Sequence, residues 1–175
     1  MSVPIRVLGD WQLVGPDGES RAVRSAVQRM LAFLAVRGRV QQRALVAGSL
    51  WPDSSDRRAS ANLRSTLWHA RIESPGLVDG DGSTLWLCEG VLTDFDEATA
   101  VIRAVLLGEP VAPERLASLA GDVLPEWDDE WVVQVRFLHR QLRLLALERA
   151  GQRRRGDDHL ATLTVTSDGR GRTDR

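Results

Sequence analysis

The chain has 175 residues, 43% hydrophobic and 27% charged, the balance of a globular protein with one ordinary domain or a small domain plus a second unit. One cysteine (Cys88) excludes an internal disulfide framework, three scattered histidines argue against a metal cage, and the total absence of lysine excludes a P-loop nucleotide site. The net charge of -1 hides an asymmetry: residues 20–72 carry ten arginines against two acids, whereas residues 91–150 carry six arginines against eleven acids, so a phosphate-seeking segment precedes one that phosphates repel.

No apolar run approaches the roughly 18 residues of a membrane span, and Met1-Ser2-Val3-Pro4 leads into a strand-like segment rather than a signal peptide, which predicts a cytoplasmic protein without membrane contact. Ile5 to Leu8 and Trp11 to Val14 alternate as strands. Gly15-Pro16-Asp17-Gly18 supplies turn chemistry before Arg21 to Val23, so a small N-terminal antiparallel sheet is expected. Ser25 is placed to cap a helix whose Val27, Met30, Leu31 and Leu34 form one apolar stripe ending near Arg37-Gly38. A second helix, about Gln42 to Leu50, carries Leu45, Val46 and Leu50 and stops at Trp51-Pro52, because proline disfavours helical geometry in the preceding residue.

The third helix, Arg57 to Ile72, bears the candidate site. At 100° per residue, Ala59, Leu63, Thr66, Leu67 and Ala70 fall on one side, and Arg57, Arg58, Ala61, Arg64, Ser65, Trp68 and His69 on the other. The second face is basic and rich in donors, which suits phosphates and the acceptor-lined edge of guanine; Asn62 has the amide that reads adenine, and Arg71 extends the charge. The expected DNA contacts are therefore Arg57, Arg58, Asn62, Arg64, Ser65, Trp68, His69 and Arg71. Trp68 has a second reading, packing beside Trp86.

Leu77-Val78 and Thr84 to Cys88 flank Asp79-Gly80-Asp81-Gly82-Ser83, a hairpin with Asp-Gly turn residues. Sheet, three helices and closing hairpin describe an α+β winged helix-turn-helix over residues 1–90, the hairpin being the wing. Residues 91–155 read as helical: Asp94-Phe95-Asp96 caps a helix from about Glu97 to Leu107, Pro113 opens another to about Leu119, and a long amphipathic helix runs from Trp131 to about Arg153. Residues 156–175, polar and glycine-rich, are expected to be disordered. The acidic cluster Glu126, Asp128, Asp129 and Glu130 lacks a partner base, nucleophile or ligand set and reads as a helix start, so no enzyme activity, cofactor or metal is expected.

The sequence resembles the SARP type of actinobacterial regulator, in which an OmpR-type winged helix precedes a helical bacterial transcriptional activator domain (BTAD). The matching segments are Ile5-Arg6-Val7-Leu8-Gly9, Leu50-Trp51-Pro52-Asp53, Ala59 to Trp68, Gly121-Asp122-Val123-Leu124-Pro125 and Asp129-Glu130-Trp131-Val132, in order across about 150 residues. The resemblance implies sequence-specific binding of promoter DNA, often at direct repeats, activation through RNA polymerase, and a TPR-like helical segment, here shortened. Departures are His69-Ala70-Arg71 where an Arg-Leu-Arg run is usual, Trp86 where the wing commonly has arginine, and Gln134 where a glutamate is usual. The alternative reading is a protein-interaction module, dimerising through the apolar side of Trp131 to Leu147, with weak or no DNA binding.

Overall fold

A computed structural model describes residues 5–15 and 17–168 as a mixed helix and sheet protein. Strand β1 (Ile5–Arg6) pairs antiparallel with β2 (Gln12–Leu13), Ile5 opposite Leu13, which turns both apolar side chains inward. The expected third strand is reduced to a single bridge between Val14 and Ser20.

Helix α1 (Ser25–Arg37) is the centre of the molecule. Val27 and every residue from Met30 to Val36 are buried, more than the one-sided stripe implied, because helices and strands surround it. Ser25 is its first residue rather than its cap; Arg24 takes the cap position without a side-chain cap bond. Gly38, at φ 122°, ends the helix in a conformation that side chains resist. After Arg39 comes β3 (Val40–Gln42), a strand with no counterpart in the sequence reading, its first residue exposed. It exists because β5 offers it an edge, which no local pattern announces.

Helix α2 (Arg43–Leu50) buries Val46, Ala47 and Leu50 and leaves Leu45 exposed; its end at Trp51-Pro52 is where proline places it. Helix α3 (Asp56–Glu73) packs most heavily on α2 and then on α1. Strands β4 (Val78–Gly80) and β5 (Thr84–Leu87) make the expected hairpin, with Val78 opposite Leu87 and Gly80 opposite Leu85. The sheet order is β3-β5-β4.

Helix α4 (Asp94–Leu107) is capped by Thr93, whose hydroxyl accepts the Asp96 N–H at 2.9 Å, and ends at Gly108 in the left-handed conformation. Asp94, expected among the capping residues, is the first residue of the helix, and its carboxylate accepts the N–H groups of Val7 and Leu8 at 2.9–3.1 Å. Pro113–Leu119 forms a 3₁₀ helix. Helix α5 (Glu130–Asp168) continues past Gly156, where composition led to the expectation of a disordered tail; no proline follows Pro125, so nothing removes a backbone donor along this stretch. Residues 169–175 of that expected tail lie outside the described residues.

The main core runs across the sequence boundary near Gly90. Val91, Val123, Leu124, Trp131 and Val132 share a cluster with Ile5, Val7, α1, α2 and α3. Phe33 of α1 meets Trp131 edge-on at 5.2 Å, and Trp127 stands 6.3 Å from both Trp11 and Trp131. Backbone bonds repeat the join: Leu124 N–H to Val7 C=O at 2.9 Å and Gly9 N–H to Asp122 C=O at 2.8 Å. A second, smaller cluster unites α4, the 3₁₀ helix and Ala146 of α5. Among the described residues no helix is long and apolar enough to cross a membrane.

Candidate nucleic-acid interface

Leu63 and Ala59 at 2% exposure and Ala70 at 0% anchor one side of α3 in the core, with Thr66 buried and Leu67 half-buried beside them. The Thr66 hydroxyl is satisfied by donating to the Asn62 carbonyl one turn back at 2.9 Å, so the polar group does not spoil the buried stripe. With one side fixed, helical geometry dictates the other. Arg57, Arg58, Arg64, Ser65 and Arg71 are exposed, and Trp68 keeps 60% of its surface open. Arg57, Ala61, Arg64 and Trp68 fall at i, i+4, i+7 and i+11, one continuous row along about 16 Å of helix.

Two neighbours frame this row. On the side of Ser60 and Arg64 lies the hairpin tip, where Gln42, Arg43, Ser83 and Thr84 complete an open depression of about 810 Å³. On the other side is the start of α1: Arg24 bonds Glu73 at 2.9 Å and lies against the His69 ring. His69 is thereby half-buried, its ring 4.7 Å from that of Trp68. Trp68 meets His69 and not Trp86, so its alternative packing on the wing is not observed. Asn62 is half-buried and contributes its carbonyl to Thr66.

The ten arginines of the basic segment are not one patch. Arg29 pairs with Asp129, and Arg39 binds Asp96 at 2.9 Å together with the carbonyls of Cys88 and Val91; both fasten the helical half to the rest. Arg21 pairs with Asp17 and Arg24 with Glu73. Arg71 faces Asp79 at 3.8 Å, a distant and exposed pair. Among the described residues Arg57, Arg58 and Arg64 have no acidic partner, so these three present unneutralised charge on α3.

Arg43 is the residue that sequence reading missed. Its guanidinium bonds the Asp81 carbonyl at 2.8 Å and its N–H bonds the Ser83 carbonyl at 2.8 Å, which pins the β3–α2 junction to the hairpin tip and sets a cation beside Arg64. Only the unanticipated β3–β5 pairing brings it there. The tip itself is acidic. Asp81 accepts from Ser83 and Thr84 N–H groups at 2.7 Å, and these bonds hold its carboxyl down at about 2. Trp86 is half-buried, cross-strand from Val40 and Asp79. Compared with family models and with curated proteins, the chain matches none.

Proposed function

We propose that the protein is a SARP-type transcription regulator that binds double-stranded DNA as a winged helix-turn-helix, with α3 in the major groove and the β4–β5 hairpin as the wing against the adjacent backbone. The observation that carries this reading is the outer face of α3: three arginines without an acidic partner among the described residues and an exposed tryptophan, on a helix whose opposite side is locked in the core. A rigid cationic ridge about 10–12 Å across fits a groove about 12 Å wide. Arg57 and Arg58, at the start of α3, take phosphates together with the positive end of the helix dipole; Arg64, mid-helix, reaches a guanine edge. Arg43 replaces the missing wing arginine as the backbone contact. Residues 1–90 are the reading unit and 91–155 the activator segment, through which contact with RNA polymerase follows from the family resemblance.

The test is duplex binding by fluorescence anisotropy across a salt series, followed by selection of bound sequences from a random pool. Binding is expected to weaken steeply with salt, the logarithmic slope being about -0.9 per phosphate neutralised. A chain that binds no duplex in a salt-sensitive manner, its own promoter included, would falsify the reading.

A further inference from the structure

The outermost line of α3 is apolar over its second half. Trp68 and Ile72 stand about 140° and about 180° round the helix from the buried Leu63, so they straddle the side opposite the core. Each keeps 60% of its surface exposed, and neither packs on a hydrophobic cluster. Four residues apart, they are neighbours on one face and form a joint apolar patch rather than two scattered side chains. His69, held against Arg24, steadies the indole through a T-shaped ring contact at 4.7 Å. The charge around the patch is of one sign: from Arg57 to Ile72 the helix carries four arginines and no acid, and its terminal acid, Glu73, is paired with Arg24.

We propose that Trp68 and Ile72 read thymine, their patch packing on the 5-methyl groups in the major groove while arginines of the same face meet phosphates and a guanine edge. The inference rests on the DNA reading above and adds a specificity-determining pair to it. A partner for this face must be anionic at its rim and carry small apolar projections within. Duplex DNA has that chemistry at thymine, the one base whose major-groove edge bears a methyl group. Trp68 lies about 6 Å along the helix axis beyond Arg64, and Ile72 about 6 Å beyond Trp68, each step close to about two base pairs at about 3.4 Å per pair. The thymines are therefore expected about two and about four base pairs from the guanine met by Arg64. Because indole and isoleucine carry no charge, their contacts add affinity without displacing counterions, in contrast with Arg57.

The test uses the full 175-residue chain and the duplex it selects from a random pool. Deoxyuridine in place of thymine removes the methyl group and leaves base pairing unchanged. At the two steps it is expected to weaken binding about fourfold for each methyl covered, the worth of one buried methyl-sized group. Trp68→Ala is expected to bind the thymine and deoxyuridine forms of the nearer step alike, with the salt slope of the parent and an unchanged melting curve, since Trp68 lies outside both core clusters. Ile72→Ala is expected to do the same at the farther step. A selected site without thymine at these steps, equal affinity of the parent for both duplexes, discrimination that survives Trp68→Ala, or a salt slope reduced by Trp68→Ala each overturns the inference and leaves salt-sensitive DNA binding in place. Absence of any salt-sensitive duplex binding overturns the DNA reading itself, and this inference with it. Sedimentation without DNA tests the competing occupant: self-association that Trp68→Ala abolishes, with methyl discrimination absent, assigns the patch to a second copy and overturns the inference.

Discussion

Arg64 combines the properties a base-reading side chain needs: it is mid-helix, exposed, without an acidic partner among the described residues, and backed by a buried Leu63 that fixes the backbone beneath it. Arg64→Ala is expected to cost about 1–3 kcal/mol of specific binding and to relax preference at one base position, measured by comparing the sequences each protein selects. Arg57→Ala is expected to weaken all duplexes alike and to reduce the salt slope by about one. Asp122 supplies a pH test away from the interface. Its hydrogen bond from Arg140, and then the charge of Arg143, hold the carboxyl below its ordinary 3.8, so the folded form takes up this proton less readily than the unfolded chain. Its stabilisation is complete above that value and is lost as pH falls through the folded one. Asp94 works with the opposite sign, because burial pushes its carboxyl up despite the Val7 and Leu8 N–H groups. The informative measurement is therefore the difference between Asp122→Asn and the parent: below about pH 4 the variant's melting temperature is expected to fall less steeply.

At the scale of elements, α3 is legible from residue order alone. Its bounds, its buried stripe and its outer face follow from a 3.6-residue period that tertiary packing had no reason to override. Leu63→Ala is expected to cost about 2–5 kcal/mol, read by chemical denaturation, because the side chain is enclosed by α1 and α2. The hairpin was equally visible in its Asp-Gly turn, but its partner β3 was not. Three residues with an exposed valine carry no periodicity, and their pairing is decided by whichever edge is near. Arg43 went unrecognised for the same reason. The pair of contacts it makes predicts that Arg43→Ala frees the hairpin tip: amide exchange at Ser83 and Thr84 is expected to accelerate and duplex affinity to fall, with little change in melting temperature. Unchanged affinity would remove Arg43 from the backbone-contact role.

For the molecule as a whole, the basic and acidic halves are bolted together rather than strung in series. Arg29–Asp129, Arg39–Asp96, the Asp94 bonds to β1 and the Trp11–Trp127–Trp131–Phe33 chain all cross between them.

Residue order by itself determined where helices run as far as about Arg153, which side of α3 faces solvent, where the hairpin turns, and that two halves of unlike charge exist, because periodicity, turn chemistry and charge are local quantities; the helical stretch beyond Gly156 it did not give. Only tertiary structure decided how the arginines divide between joining the halves and remaining free on α3, since ion pairs such as Arg29–Asp129 join residues a hundred positions apart. It likewise decided that β3 forms, that Arg43 reaches the hairpin tip, and that the outer side of α5 stays uncovered. Those outcomes depend on which surfaces remain once every other element has packed, and no window of neighbouring residues contains that information.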